Sequence, residues 1–451
     1  MDHPAPGAPT PYAAPPEGTV VLYRGATLLD GTGAPARTAT TIVVDGERIA
    51  AVVPDGELPD GLPVDAVTVD LDGRHVIPGL IDSHQHLATP PDRPLAESWL
   101  RRQVYGGVTA IRDMADDLRH VGDLARGTRV GEIPGPDIHY AALMAGPGFF
   151  DDPRTWQVSQ GETPGTVPWM QAITDETDLP LAVALARGTH ATAIKVYADL
   201  DGATVAAITA EAHRQGIQVW AHAAVFPACP GEVVAAGVNA VSHVTLLAHE
   251  AVDATAPSAS YKNKAPIDYE RLAGEEHPRL TALFAAMRER GTVLDATAGL
   301  WHWLEGEADT PEARAKARAD SELAATLTAQ AHLAGVEISA GTDYETAAEH
   351  PYPALYDEMA FLVRRCGIPV EQVIRCATVV GARSMGAEAQ MGTVEAGKLA
   401  NFVVLDRDPL ADIDNLRSVG CVVKRGRRHE RSDYRTGQDT KGQDTKGQVD
   451  R

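Results

Sequence analysis

Two histidines one residue apart, His84 and His86, end the apolar run VIPGLIDSHQHL. On a strand, side chains at i and i+2 point to one face, so both imidazoles can address one metal ion, while Gln85 turns to the other face in a structural role. An HxH pair recurs by chance and needs partners before it means a metal site. Partners are present further along: His222 in IQVWAHA, His243 in VNAVSHV, Asp343 in VEISAGTD, and Lys195 in the apolar stretch AIKVYAD. Singly, each has an ordinary reading. A strand-end histidine is commonly structural, Asp343 could cap a following helix, and Lys195 could pair with Asp199 or Asp343. A buried ammonium without such a partner is costly. Together the six form a nitrogen and oxygen ligand set without cysteine, which suits zinc or another borderline divalent ion.

Such residues converge only if the strands that carry them end side by side. Eight strand-like stretches run through the middle of the chain: HVIPGLIDSH, GVTAIRDM, DIHYAAL, AIKVYAD, IQVWAHA, VNAVSHV, TVLDAT and VEISAGTD. Helical patterns lie between several of them, as in DGATVAAITAEAHRQG, where Asp201 is placed to cap and Gly216 to stop the helix. Strands joined by helical crossovers are parallel, and eight of them predict an α/β fold closed into a (β/α)8 TIM barrel. Active sites of such barrels lie at the C-terminal strand ends, where the six residues fall. An open doubly wound sheet is the alternative, but no GxGxxG follows the first strand. Residues 19–77 and 388–430 read as one small β-sandwich built from both chain ends, with an antiparallel alternation, and 78–387 as the barrel. Residues 1–18 read as a disordered Pro/Ala-rich arm and 431–451, with its GQDTK repeat, as a disordered tail.

The formal charge of -22 argues against a nucleic-acid partner. No run of about 18 apolar residues predicts a membrane span, and the N-terminus lacks the basic and apolar regions of a secretory signal. Four cysteines without CxxC spacing read as reduced thiols of a cytoplasmic protein.

With these motifs in view, the chain resembles the amidohydrolase superfamily of metal-dependent hydrolases, through PGLIDSHQH, GVTAIRDM, AIKVYAD, VWAHA, VSH, SAGTD and GTVEAGKLANFVVL. It looks most like the prolidase and imidazolonepropionase-like branch. The resemblance implies two divalent ions, with His84, His86 and Asp343 on the more buried one and His222 and His243 on the other. It implies that Lys195 is carbamylated and bridges both, and that a bridging hydroxide attacks an amide or peptide-like C–N bond while Asp343 shuttles the proton. Dipeptides, N-acyl amino acids and cyclic amides are the implied small-molecule substrates, and a homo-oligomer the implied assembly. Deamination of an aminated heterocycle, or hydrolysis of an ester, lactone or organophosphate, is the alternative on the same scaffold. The chain departs from relatives at Ala224, where an aromatic residue or histidine is usual, and at Ser242-His243-Val244, where EHG is usual. Both departures put dipeptidase specificity in doubt.

Four further residues are candidates for substrate contact: Tyr140, Arg154, Tyr197 and His302. Arg154 is the cation of the long Gly/Pro/aromatic loop from Met144 to Met170, which could be a substrate lid or a structural insertion. His120, His190, His213 and His332 read as surface or packing residues.

Overall fold

The passage from the chain's N-terminal strands into the barrel is decided at Gly79. In the computed structural model, which describes residues 19–252, 258–274, 277–347 and 349–435, HVIPGLIDSH is two strands rather than one. His75–Pro78 belongs to a peripheral sheet and Leu80–Gln85 to the barrel. The Gly79 amide donates to the Asn401 carbonyl at 2.9 Å, and the Leu80 amide to the Gly107 carbonyl at 2.9 Å. A Cβ at residue 79 would collide with Thr109, so glycine lets the backbone pass between the two sheets.

The peripheral sheet joins the two ends of the chain. Its order is Arg427–Glu430, Val419–Lys424, Phe402–Leu405, His75–Pro78, Val20–Leu28, Arg37–Asp45 and Arg48–Pro54, with Val67–Asp70 also beside Val20–Leu28. The sheet is mixed: Val20–Leu28 pairs in parallel with both Val67–Asp70 and His75–Pro78, where alternation alone suggested antiparallel pairing. It curls back on itself, because Arg48 bridges Leu399 and the Ala400 amide donates to the Glu47 carbonyl at 2.8 Å. Tyr23, Ile42, Val44, Phe402, Val404 and Val423 fill the space enclosed. Residues 431–435 are a correction to the expected tail: Arg431 lies 4.5 Å over the Tyr352 ring and donates to the Pro351 carbonyl at 2.6 Å, so a cation–π contact fixes a polar segment. The expected arm, and the rest of the tail, lie outside the described residues.

Eight parallel strands follow: β1 (Leu80–Gln85), β2 (Val108–Asp113), β3 (Asp137–Ala145), β4 (Ala193–Val196), β5 (Gln218–His222), β6 (Ala240–Ser242), β7 (Val293–Asp295) and β8 (Ile338–Ser339). Each pairs with the next. The ring closes where β8 meets β1: the Ser83 amide donates to the Ala340 carbonyl at 2.8 Å, and the Asp343 amide to the His84 carbonyl at 2.9 Å. The fold is the expected (β/α)8 barrel, not an open sheet. The crossovers follow helix chemistry. Asp201 caps Gly202–Arg214 by accepting from the Thr204 amide at 2.8 Å, Gly216 leaves the helix end at φ 72°, and Val205, Ile208 and Ala212 face the strands.

The expected 144–170 loop is an ordered insertion. It holds a 3-10 turn (Pro147–Asp151), a short helix (Pro153–Gln157) and a strand (Met170–Ala172) that pairs in parallel with Leu143–Ala145. That strand takes the side of β3 that β2 leaves after Tyr140.

Candidate active site

The barrel strands stop where the backbone enters a sparsely populated conformation. Asp199, His243, Thr297 and Asp343 all have positive φ, at 56°, 70°, 44° and 61°. For residues with a side chain this left-handed region is strained, and here the strain collects at one end of the barrel. Gly341 permits a close approach, since a Cβ there would collide with Asp295 and stand 2.9 Å from the His84 Cβ. The result is a cluster of imidazoles. Ring centroids of His84 and His86 are 5.5 Å apart, those of His84 and His243 4.8 Å, and those of His222 and His243 4.8 Å. Asp343 stands among them, 3.5 Å from the Nε2 of both His84 and His86 and 3.8 Å from His243 Nδ1. Ligand atoms of His84, His243 and Asp343 all lie within 4.8 Å of one another. Among the described residues no helix follows Asp343 before Leu355, so it caps none there.

Carboxylates orient His84 and His86 from behind. His84 Nδ1 is 2.7 Å from Asp295 Oδ2, and His86 Nδ1 is 2.7 Å from Asp116 Oδ1. A carboxylate oxygen accepts and does not donate, so both rings carry hydrogen on Nδ1 and direct Nε2 toward Asp343, the orientation that serves metal-ligating histidines. His222 Nδ1 is buried without a hydrogen-bond partner among the described residues. Lys195 is buried as well. Among the described residues its Nζ makes one hydrogen bond, to Ser242 Oγ at 3.3 Å, and no ion pair, so the expected alternatives Asp199 and Asp343 do not neutralise it.

Charge in the cluster follows from burial. Desolvation holds His84, His222 and His243 well below the ordinary imidazole range, with the Lys195 charge adding to it, so all three are neutral lone-pair donors. Burial pushes the Lys195 ammonium down to about 7 and the Asp343 carboxyl up to about 6. His86, by contrast, is held at about 9: its desolvation is outweighed by the carboxylates of Asp116, Asp343 and Asp113 together. The donor set and the orphaned nitrogen fit divalent cations: three neutral imidazoles and a fourth whose proton a cation can displace, a carboxylate, and a lysine ready to lose its proton.

These six residues line one cavity of about 220 Å³, together with Phe149, Arg154 and Val158 from the 144–170 insertion. A second space of about 500 Å³ shares Arg154, Tyr197, His222, His243 and Asp343 with the first. Sharing these walls, the two are lobes of a single cleft. Tyr197 sits there as expected, 3.9 Å from the His222 ring and 4.5 Å from Phe149. Arg154 is there too, but its fork is taken by Asp152 at 3.1 and 2.8 Å. Tyr140 and His302 are not. Tyr140 has the opposite strand parity to Leu143, which lines the cavity, so its hydroxyl points outward and donates to the Thr189 carbonyl at 3.2 Å. His302 lies on the helix Leu300–Glu307, 62% exposed, and lines a separate surface cleft. Gln85 is structural as read: its amide donates to Asp82 at 2.8 Å and to Thr342 at 2.6 Å. Sequence reasoning missed Asp295, Asp116 and Tyr261. Tyr261 stacks 5.8 Å from His222 and caps the outer lobe.

Fold and site together are those of a barrel hydrolase. A family model described as the amidohydrolase family matches residues 75–428, and the chain belongs to that family. It is an enzyme, a hydrolase acting on C–N bonds. It is 25% identical over 400 residues to an imidazolonepropionase of Micrococcus luteus, covering 82% of this chain and 88% of that protein. Among solved structures it is similar to a Xaa-Pro dipeptidase with bound methionine, at 22% identity and a TM-score of 0.69, covering 91% of this chain and 100% of that one. It is also similar to A. niger ochratoxinase, at 22% identity and a TM-score of 0.70, over 92% and 96% of the two chains. At such identities the solved structures speak for the fold alone. No described helix is long and apolar enough to cross a membrane.

Proposed function

We propose that this protein is a binuclear metal-dependent hydrolase that cleaves an amide or peptide-like C–N bond in a dipeptide, N-acyl amino acid or cyclic amide. The observation that supports the reading most is the convergence of four imidazoles, Lys195 and Asp343 on one cleft, with His222 Nδ1 left without a hydrogen-bond partner among the described residues. In this reading His84, His86 and Asp343 hold one ion, His222 and His243 hold the other, and carbamylated Lys195 lies between them. Two such ions, zinc by preference for the donor set, supply a water acidic enough to attack near neutral pH and polarise the substrate carbonyl.

The chain's own residues do the rest. Lys195, held near pKa 7, is neutral often enough to bond carbon dioxide through Nζ and release a proton. The product is an anion, which removes the uncompensated buried cation. Asp343, with its carboxyl near pKa 6, is placed to accept a proton from the attacking water and return it to the leaving nitrogen. Asp295 and Asp116 fix the tautomers of His84 and His86. Phe149, Val158 and Tyr197 wall the cleft and keep bulk water from it. A cytoplasmic, homo-oligomeric enzyme is part of the same proposal.

Metal analysis followed by a substrate screen tests it. The screen spans dipeptides, N-acyl amino acids, cyclic amides, lactones and aminated heterocycles. The expected result is two ions per chain and turnover confined to the amides. One ion per chain with ammonia release would favour deamination instead. Lys195→Ala is expected to lose metal and activity, and its retaining both would end the binuclear reading.

A further inference from the structure

The outer lobe of the cleft contains a cation that forms no ion pair among the described residues. Three cationic side chains line that lobe: Arg154, Lys264 and Lys316. Asp152 occupies the Arg154 guanidinium. Lys316 Nζ is 3.4 Å from Asp320, which also accepts from the Tyr269 hydroxyl at 2.6 Å. Lys264 has no carboxylate and no hydrogen-bond acceptor among the described residues. Its Nζ lies instead 4.1 Å from the centre of the Tyr261 ring and 5.8 Å from that of Phe226. Aromatic faces attract a cation but leave its hydrogens free to donate.

The lysine is also held in place. The segment that carries it is pinned at both sides: the Tyr261 amide donates to Asp199 at 2.8 Å and the Ala265 amide to Ser258 Oγ at 2.8 Å. Tyr261, the ring under the ammonium, stacks in turn on His222. Lys264 therefore faces the same space as His222, His243 and Asp343, across a floor of Tyr261, Tyr269 and Trp301. In a chain of formal charge -22, an exposed cation at a cleft mouth also sets which ligands approach.

We propose that Lys264 is a specificity-determining residue that pairs with a carboxylate of the substrate, so that the preferred substrates are N-acyl amino acids or peptides with a free carboxylate and an apolar or aromatic side chain. This rests on the reading of the histidine cleft as the active site. It replaces Arg154, the cation expected for that task, whose fork is already filled. The aromatic floor receives the side chain, the ammonium receives the carboxylate, and the acyl carbonyl reaches the imidazole cluster.

Metal-loaded protein and its Lys264→Met and Lys264→Arg variants, titrated with N-acetyl-L-phenylalanine and with its primary amide, test the assignment. Saturation-transfer NMR reports binding, and the same spectra report cleavage. Lys264→Met is expected to weaken binding of the acid about three- to tenfold, as befits a partly exposed ion pair, and that of the amide less than about twofold. Lys264→Arg is expected to keep the preference for the acid. Equal weakening of both ligands, no weakening of either, or no binding of the acid to the wild type would overturn the assignment. Binding of the acid through Lys264 without cleavage of either compound would uphold the carboxylate site and count against the proposed reaction.

Discussion

Asp295 is the residue on which the cluster turns, although it faces no ligand itself. One of its oxygens, Oδ2, accepts from His84 Nδ1 at 2.7 Å, Ser242 Oγ at 2.8 Å and Arg112 Nη2 at 3.0 Å. Arg112 is wholly buried; its remaining contacts are the Ser83 and Ser384 carbonyls and the Trp220 ring, 4.6 Å away. Asp295→Ala therefore strands a buried guanidinium without its counter-ion, a change that costs about 3–5 kcal/mol. Asp295→Asn keeps an oxygen for the donors and loses only the charge, so it should cost about 1–3 kcal/mol. Asp295→Ala also frees the His84 ring, and loss of such a backing carboxylate lowers metal affinity about 10- to 100-fold. Ser242→Ala removes one donor from the same oxygen and should cost about 0.5–1.5 kcal/mol. Urea unfolding of metal-free protein measures the first effect, and competition with a chelator the second. An Asp295→Ala protein within about 1 kcal/mol of wild type, with metal affinity unchanged, would refute the reasoning.

Two further predictions separate site from scaffold. His302→Ala should leave kcat/KM within about twofold, because the side chain is 62% exposed in a separate cleft; a tenfold loss in a steady-state assay would put that cleft in the reaction. His249, buried against Phe226 with Ser258 and Lys264 nearby, is held at about 4 by desolvation first and the Lys264 charge second. Its folded pKa lies below the unfolded value, so the stability it contributes is complete above about pH 6.5 and is lost as pH falls toward 4. His249→Gln should flatten the urea midpoint over that window, by at most about 3 kcal/mol, and an unchanged acid limb would count against this.

Much of the barrel was legible because its determinants are local. The Asp201 cap, the Gly216 stop and the apolar strands each act over a few residues. What the strands do at their ends was less legible. HVIPGLIDSH reads as one strand-like run with the domain boundary inside it at 77/78, and the collision between a Cβ at residue 79 and Thr109 gives the reason that the chain changes sheets there. The parallel pairings of the peripheral sheet were hidden for a similar reason. They depend on where Val67–Asp70 and His75–Pro78 return, and alternation along a strand carries no information about its partner's direction.

The strand residues of the site were read through parity, and the error at Tyr140 is an error of parity. His84 and His86 share a face whatever the register, so their convergence follows from spacing alone. Tyr140 depends on how far β3 extends: it runs through Ala145, and the face that carries Leu143 looks into the cavity while the face that carries Tyr140 packs against the helices. Asp295 and Arg112 are a different matter. The cost that makes Lys195 stand out applies equally to an arginine inside GVTAIRDM and an aspartate inside TVLDAT. Strands buried on both faces hold such charges only if they find each other, and β2 and β7 can bring theirs together only across the interior of a closed barrel. The pair at 3.0 Å is thus a signature of closure as well as of the site. A charge from one strand and its opposite five strands later predicts that the sheet between them has curled.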